Sequence, residues 1–476
     1  MSISLVTSAI AQKVSVKPIP GKPVLLLGAY DPDSIGYAES EYFLSGRAKS
    51  YAPTAPLKTD GRWHLSPNGE TDFTTRIVVL RPKDAKKFNG TVIVEWLNVS
   101  GGLDAPADWF MAHREIVRAG YAYAGVSAQK VGVEGGISLG TDMSLKKTNP
   151  ERYSELNHPG DAFAYDMFSQ AGWLVRQHGS GNVLGPMVAK HVIAAGESQS
   201  ATFLASYING VDPLAKVFDG FLVHSRFGSS APFDGSSVMK PTGMPPVVKF
   251  RPDLRVPVLT LITETDLVGG RGEGYSSARQ KDAPRLRAWE VAGAAHADVY
   301  TIRVAPVDTG FAPLETLVAA YKPSMTLMGA KLAKPYNFGP QQHYVLQAAL
   351  SALNTWVQTG KAAPSPPQIA LSSADPNQIA RDEHGLAIGG IRTPWVDVPV
   401  AMTSGSGNAG NVMAYLFGSG EPFDDAKLNR LYPGGKADYL TRFAASLDSS
   451  IRAGFILRAD RQEILDLAAA IYPVTK

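Results

Sequence analysis

The chain contains no cysteine. That absence excludes disulfides, thiolate metal sites and a cysteine nucleophile together. It leaves the compartment open, because a cysteine-free chain works in oxidising and reducing surroundings alike. Net charge is also scarce: 46 Lys and Arg against 43 Asp and Glu leave +3 over 476 residues. No basic cluster concentrates that charge, so no footprint for nucleic acid is expected. Nor does any apolar run approach the roughly 18 residues of a transmembrane helix. No His-x-x-x-His or paired His/Asp spacing marks a metal site, and no cofactor is implied.

What remains is an ordinary globular composition, 44% hydrophobic and 19% charged. Length alone would allow about three domains, but large α/β enzymes often decorate one sheet with insertions. Near the start, Ala9-Ile10-Ala11 before Gln12 has the form of a small-residue cleavage site. The stretch before it is short and lacks a positive region, so the residues alone favour a plain N-terminal segment.

Short β-branched runs alternate with helix-period stretches, which predicts an α/β fold with a mainly parallel sheet. The strands expected are 75–80, 91–97, 121–127, 191–195, 218–223, 256–262 and 286–291. Between them, Asp161 to Arg176 carries Phe163, Met167, Ala171 and Leu174 at helical spacing. Two irregular segments break the rhythm, at about 225–255 and 297–340, and segments of that kind serve as lids or binding loops. A helix from about Gln341 to Val357 is followed by the Pro-rich Ala363–Pro367, a boundary. The organisation expected is therefore a core over 20–365 and a C-terminal extension over 366–476. Asp460 is placed as the N-cap of a final amphipathic helix.

Chemistry concentrates in Ala195-Gly196-Glu197-Ser198-Gln199-Ser200-Ala201, between a strand and a helix. A nucleophile elbow is a strained strand-to-helix turn that needs small residues two positions either side of its serine. Gly196 meets the first need; Ser200 stands where glycine is commoner. The plain alternative is a strand-to-helix loop with Ser198 as N-cap. A serine hydroxyl needs a base, and the base an orienting acid. In chain order Ser, acid, His, with the acid after strand 256–262, three histidines qualify: His296, His343 and His384. His343 falls in a predicted helix, as a surface or packing residue, and His384 in the polar loop Asp382–Gly385. His296 follows a late strand and is preferred. Of the two carboxylates after strand 256–262, Asp266 is preferred to Glu264 because it lies further into the turn. Backbone N–H groups for an oxyanion hole are expected from Gln199 and from Asn98 and Val99, before Gly101-Gly102. The same Gly-rich segment reads equally well as a plain turn. Trp96, Trp109, Arg226 and Phe227 are candidates to line the substrate pocket, though buried aromatics belong to cores more often.

Gly196–Ser200, Glu95–Asn98, Thr263–Asp266, Gly293–Asp298, Gly389–Pro394, Leu416–Gly418 and Pro422-Phe423 together resemble a bacterial family described as "alpha/beta hydrolase domain" (Abhydrolase 10). The likeness runs from about Pro20 to the end. It implies the α/β-hydrolase fold, Ser198 as nucleophile, His296 as base and an acid within Thr263–Asp266. It also implies that the C-terminal region belongs with the catalytic domain. Many members of such families are exported, so a periplasmic or secreted protein is expected, with cytoplasmic as the alternative. The function expected is hydrolysis of small carboxylic esters. Lactonase, amidase and acyltransferase chemistry use the same triad, and an inert binding protein could share the fold. Oligomeric state is left open.

Overall fold

The computed structural model describes residues 14–473 except 26, 178–181, 239–240, 270–271, 311, 328 and 409–411. Ala9–Ala11 therefore lies outside the described residues. Nine strands form one sheet: β1 (Ser15–Ile19), β2 (Tyr37–Pro53), β3 (Leu65–Pro82), β4 (Thr91–Trp96), β5 (Ala122–Val126), β6 (His191–Glu197), β7 (Gly220–His224), β8 (Val258–Thr263) and β9 (Leu286–Val291). Their spatial order is β1-β2-β3-β5-β4-β6-β7-β8-β9. From β5 to β9 every neighbouring pair is parallel, and β1 to β3 add an antiparallel edge.

The parallel strands are apolar on both faces because helices cover both. Along β4, Val92 and Val94 face one layer and Ile93 the other, the period-2 alternation of a strand. The first layer packs Val92, Val94, Val192 and Val223 against Phe168, Ala171 and Leu204, from helices Ala164–Leu174 and Gln199–Ser206. The second packs Ile93, Ile193, Leu222 and Leu259 against Trp109, Ile116, Leu346 and Leu350, from helices Ala107–Arg118 and Gln341–Thr359.

All seven expected strands overlap observed ones, with 91–97, 121–127, 218–223 and 256–262 running one or two residues past them, but the antiparallel edge differs. The run at 75–80 is the inner end of an 18-residue strand paired with the 17-residue β2. Residues 66–72 of β3 are mostly exposed, so no apolar alternation betrays that half of the hairpin. The helix expected over Asp161–Arg176 is a 3-10 turn, Asp161–Phe163, running into Ala164–Leu174.

Neither irregular insertion is a detached flap. Ala231, Phe233, Val248 and Phe250, from 225–255, join the first core layer. Val299, Tyr300, Leu317 and Tyr321, from 297–340, pack with Phe443, Leu447, Ile464 and Leu467 of the C-terminal helices. The C-terminal region also continues the sheet edge, since Ile391 N–H donates to Glu290 O at 2.7 Å and Ala292 N–H to Ile391 O at 3.2 Å. Asp460 stands at the N-cap position of the last helix, as expected, but its side chain makes no capping hydrogen bond. Its carboxylate instead pairs with Arg118 at 2.5 Å, because tying the extension to helix Ala107–Arg118 satisfies a buried charge that a cap would leave unpaired. Among the described residues no helix is long and apolar enough to cross a membrane.

Candidate active site

β6 ends at Glu197 and the next helix starts at Gln199, so Ser198 is the whole turn. It stands at φ 58° and ψ −114°, a region that L side chains enter only under constraint. Its N–H donates to His224 O at 2.9 Å, which pins the turn to β7. Its side chain makes no capping hydrogen bond. The small flanks have a steric reason: a Cβ on Gly196 would lie 3.0 Å from Leu204 Cδ1 and 3.1 Å from Ser200 Cβ. Strand, strained serine and helix together have the backbone geometry that a nucleophile elbow requires.

The turn after β8 carries two carboxylates that go different ways. Asp266 Oδ1 lies 2.6 Å from His296 Nδ1, while Oδ2 accepts from Thr263 N and Thr263 Oγ1, both at 2.8 Å. Glu264 turns away: Oε1 accepts from Gly293 N at 2.7 Å, and Oε2 from Arg381, Ser404 and Gly405, each at 3.1 Å. One carboxylate thus faces the histidine and the other fastens the C-terminal extension. His296 is held at its backbone too, donating to Thr265 Oγ1 at 3.0 Å, and Thr265 donates onward to Gly405 O at 2.6 Å. Burial works hardest against a charged imidazole here. The charge and hydrogen bond of Asp266, with the charge of Glu197, outweigh it, so His296 holds its proton more tightly than an ordinary histidine.

The loop after β4 divides its expected donors. Asn98 N–H is spent on Ala105 O at 2.9 Å, so Asn98 is corrected as an oxyanion donor. An isolated bridge between these two residues, which the sequence does not signal, takes it. No acceptor among the described residues takes the N–H of Val99. Gln199 opens its helix, where an N–H has no intrahelical acceptor.

Trp96 and Trp109 are also corrected, because both are fully buried. Trp96 packs among Tyr165, Phe168 and Phe203, and Trp109 donates to Tyr30 Oη at 3.1 Å. With no exposed surface, both belong to the core. Arg226 is corrected with them. It is wholly buried, donates to Phe227 O at 3.0 Å and Val248 O at 2.5 Å, and lies over the Phe250 and Tyr275 rings. Burial without a carboxylate partner pushes its guanidinium down to about 10. Phe227 does reach the site: its ring stacks on His296 with centroids 5.4 Å apart.

Of the other histidines, His343 is buried and stacked on Tyr300 at 3.9 Å, and His384 packs near Phe423. Sequence reasoning missed a second buried pair, His224 Nδ1 with Asp108 Oδ1 at 3.0 Å. These residues stand 116 positions apart; only His224, at the end of a predicted strand, carried any local signal. Among the described residues, no three His, Asp or Glu side chains gather as a metal cage.

An elbow serine after β6, with a histidine–aspartate pair held beyond β8 and β9 of a doubly covered sheet, is the architecture of an α/β hydrolase. The chain belongs to the alpha/beta hydrolase domain family, whose pattern matches residues 10–466. No curated protein matches it. Solved structures with some similarity include esterase Est22 (15% identity, 60% of this chain and 82% of that one, TM-score 0.33). A putative dienelactone hydrolase from Klebsiella pneumoniae is another (13%, 56% and 95%, TM-score 0.28). A thermostable esterase from Pseudomonas putida is a third (13%, 50% and 66%, TM-score 0.27). Likeness at this level carries no argument about chemistry.

Proposed function

We propose that this protein hydrolyses carboxylic esters of small molecules through an acyl-enzyme on Ser198. The observation that carries the reading is the strained serine at the end of β6 on the same sheet edge as the 2.6 Å His296–Asp266 pair. His296 takes the Ser198 proton at Nε2 while Oγ bonds to the carbonyl carbon. Asp266 keeps the other proton on Nδ1, which fixes the tautomer and steadies the imidazolium. The N–H groups of Gln199 and Val99 face the oxygen as it gains charge. Collapse of the tetrahedral adduct returns the proton from Nε2 to the leaving alcohol. Water then repeats the sequence, and the carboxylic acid leaves with Ser198 restored.

The test is covalent labelling by an uncharged fluorophosphonate, paired with hydrolysis of nitrophenyl esters of graded acyl length. Labelling confined to Ser198 together with ester turnover is the expected result. An unlabelled wild-type protein that turns over no ester removes the proposal.

A further inference from the structure

His296 has a second neighbour that the triad does not use. Its Nε2, the nitrogen that must receive the serine proton, lies 3.4 Å from Glu197 Oε1. Glu197 immediately precedes the elbow serine, so the strained turn fixes where its side chain begins. Asn98 then fixes where it ends: Asn98 Nδ2 donates to Glu197 O at 3.0 Å and to Glu197 Oε2 at 3.1 Å. With Oε2 so held, Oε1 is left for the histidine. The Glu197 side chain is only 14% exposed and that of His296 5%, so water screens the contact weakly.

Behind Glu197 stands the His224–Asp108 pair. Burial is the largest influence on His224 and opposes its charge, but Asp108, Glu197 and Asp266 together leave it holding its proton tightly. The charged groups facing the Glu197–His296 contact are therefore Asp266 from the turn after β8, His224 from β7 and Asp108 from helix Ala107–Arg118. Asn98, Phe227 and the Gln342 amide, which donates to His296 O at 3.4 Å, complete the wall without titrating. Burial is the main cause that raises the Glu197 carboxyl above its ordinary value; the two histidines oppose that rise, and Asp108 and Asp266 add to it.

We propose that Glu197 is a positioning residue, a second carboxylate that pairs with the His296 ring from its Nε2 side once that nitrogen is protonated, and so stabilises the imidazolium formed when Ser198 is deprotonated. The inference deepens the ester-hydrolase reading and rests on it. The proton arriving at Nε2 is shared with Glu197 until the leaving alcohol takes it. No atom is gained or lost in this step. At low pH the same contact keeps His296 charged, so the enzyme waits with its base occupied.

The experiment follows His296 directly, by NMR titration of protein carbon-13-labelled at histidine Cε1, with His296→Gln assigning the signal. It is paired with the pH profile of kcat/KM on an uncharged nitrophenyl ester. In Glu197→Gln, which keeps the shape and an acceptor for Asn98, the His296 midpoint should fall by about one pH unit. The plateau kcat should drop about tenfold, with KM within twofold. Glu197→Asp should recover part of both. A His296 midpoint unmoved in Glu197→Gln overturns the proposal, as do equal activity losses in Gln and Asp with no shift of midpoint, which mark a merely structural role. The two readings fail separately. A midpoint that falls in a protein that cleaves no ester sinks the ester reading and keeps the contact. An unmoved midpoint in an active esterase does the reverse.

Discussion

Two buried histidine–aspartate pairs stand at the same edge of the sheet, and they differ in one respect. In both, Nδ1 meets a carboxylate oxygen, at 2.6 Å for His296–Asp266 and 3.0 Å for His224–Asp108. In both, burial opposes the imidazolium first and nearby carboxylates overcome it. They part at Nε2. That of His296 lies by Glu197, beside the elbow, whereas that of His224 is 3.5 Å from the Gln342 amide inside the core. His224 serves the elbow with its carbonyl, which takes the Ser198 N–H. On the function proposed above, a histidine–aspartate pair is not a base by its chemistry alone; it acts as one only where its other nitrogen lies beside the serine turn.

The largest effect that bears on this comparison is loss of the nucleophile itself. Ser198→Ala should lower kcat by roughly 10⁴ to 10⁶ with the fold retained. A variant keeping a tenth of wild-type ester turnover would falsify the role given to Ser198.

Next comes the contrast between the pairs. Asp266→Asn should lower kcat by about 10⁴, and Asp108→Asn by less than about tenfold, with its main cost in stability, about 1–3 kcal/mol. Steady-state kinetics and urea unfolding of both variants measure the two costs. Equal kinetic losses would mean that both histidines act in the chemistry.

pH sharpens the comparison further. His296 must be neutral to accept a proton, and it holds its own proton more tightly than usual. Activity should therefore rise with pH along a one-proton limb whose midpoint lies above the ordinary histidine value of about 6.5. Asp266→Asn removes a charge that favours the imidazolium, so its midpoint should move down. A pH–rate profile that is flat from pH 5 to 8 contradicts the assignment.

A smaller effect separates the two carboxylates of one turn. Glu264→Gln should cost about 1–3 kcal/mol of stability, because its oxygens satisfy donors on both sides of the join with the C-terminal extension. Its kcat should stay within about threefold, since it does not touch His296. Thermal unfolding monitored alongside ester turnover reads both. A kinetic loss as deep as that of Asp266→Asn would return Glu264 to the orienting role. The smallest change is expected of Trp96→Phe, which should lower stability while leaving KM unaltered, as suits a core residue. A shifted KM across acyl lengths would restore Trp96 to the pocket.

Legibility followed locality. The elbow could be read because strand, small flank, serine and helix are contiguous at 191–207. The parallel strands could be read because burial on both faces makes them continuous apolar runs. The β2–β3 hairpin could not, since its distal half is solvated and shows no period. Trp96, Trp109 and Arg226 were misplaced for a related reason. Their positions near a Gly-rich loop or a strand end suit a pocket, and only the packing of Phe168 and Phe203 on Trp96, of His113 and Tyr123 on Trp109, and of Phe250 and Tyr275 on Arg226 puts them inside.

The sequence by itself determined the fold class, and it pointed to one serine turn and a short menu of partners for it, because each rests on a run of neighbouring residues. Tertiary structure decided the rest. It sent Asp266 to the histidine and Glu264 to Arg381, residues only two apart whose side chains leave one short helix in different directions. It spent the Asn98 N–H on Ala105 and gave that of Val99 no acceptor among the described residues. It brought Asp108 to His224, and Glu197 to His296, across about a hundred residues of chain in each case. Such meetings are fixed by how helices seat on the sheet, and no local pattern encodes them.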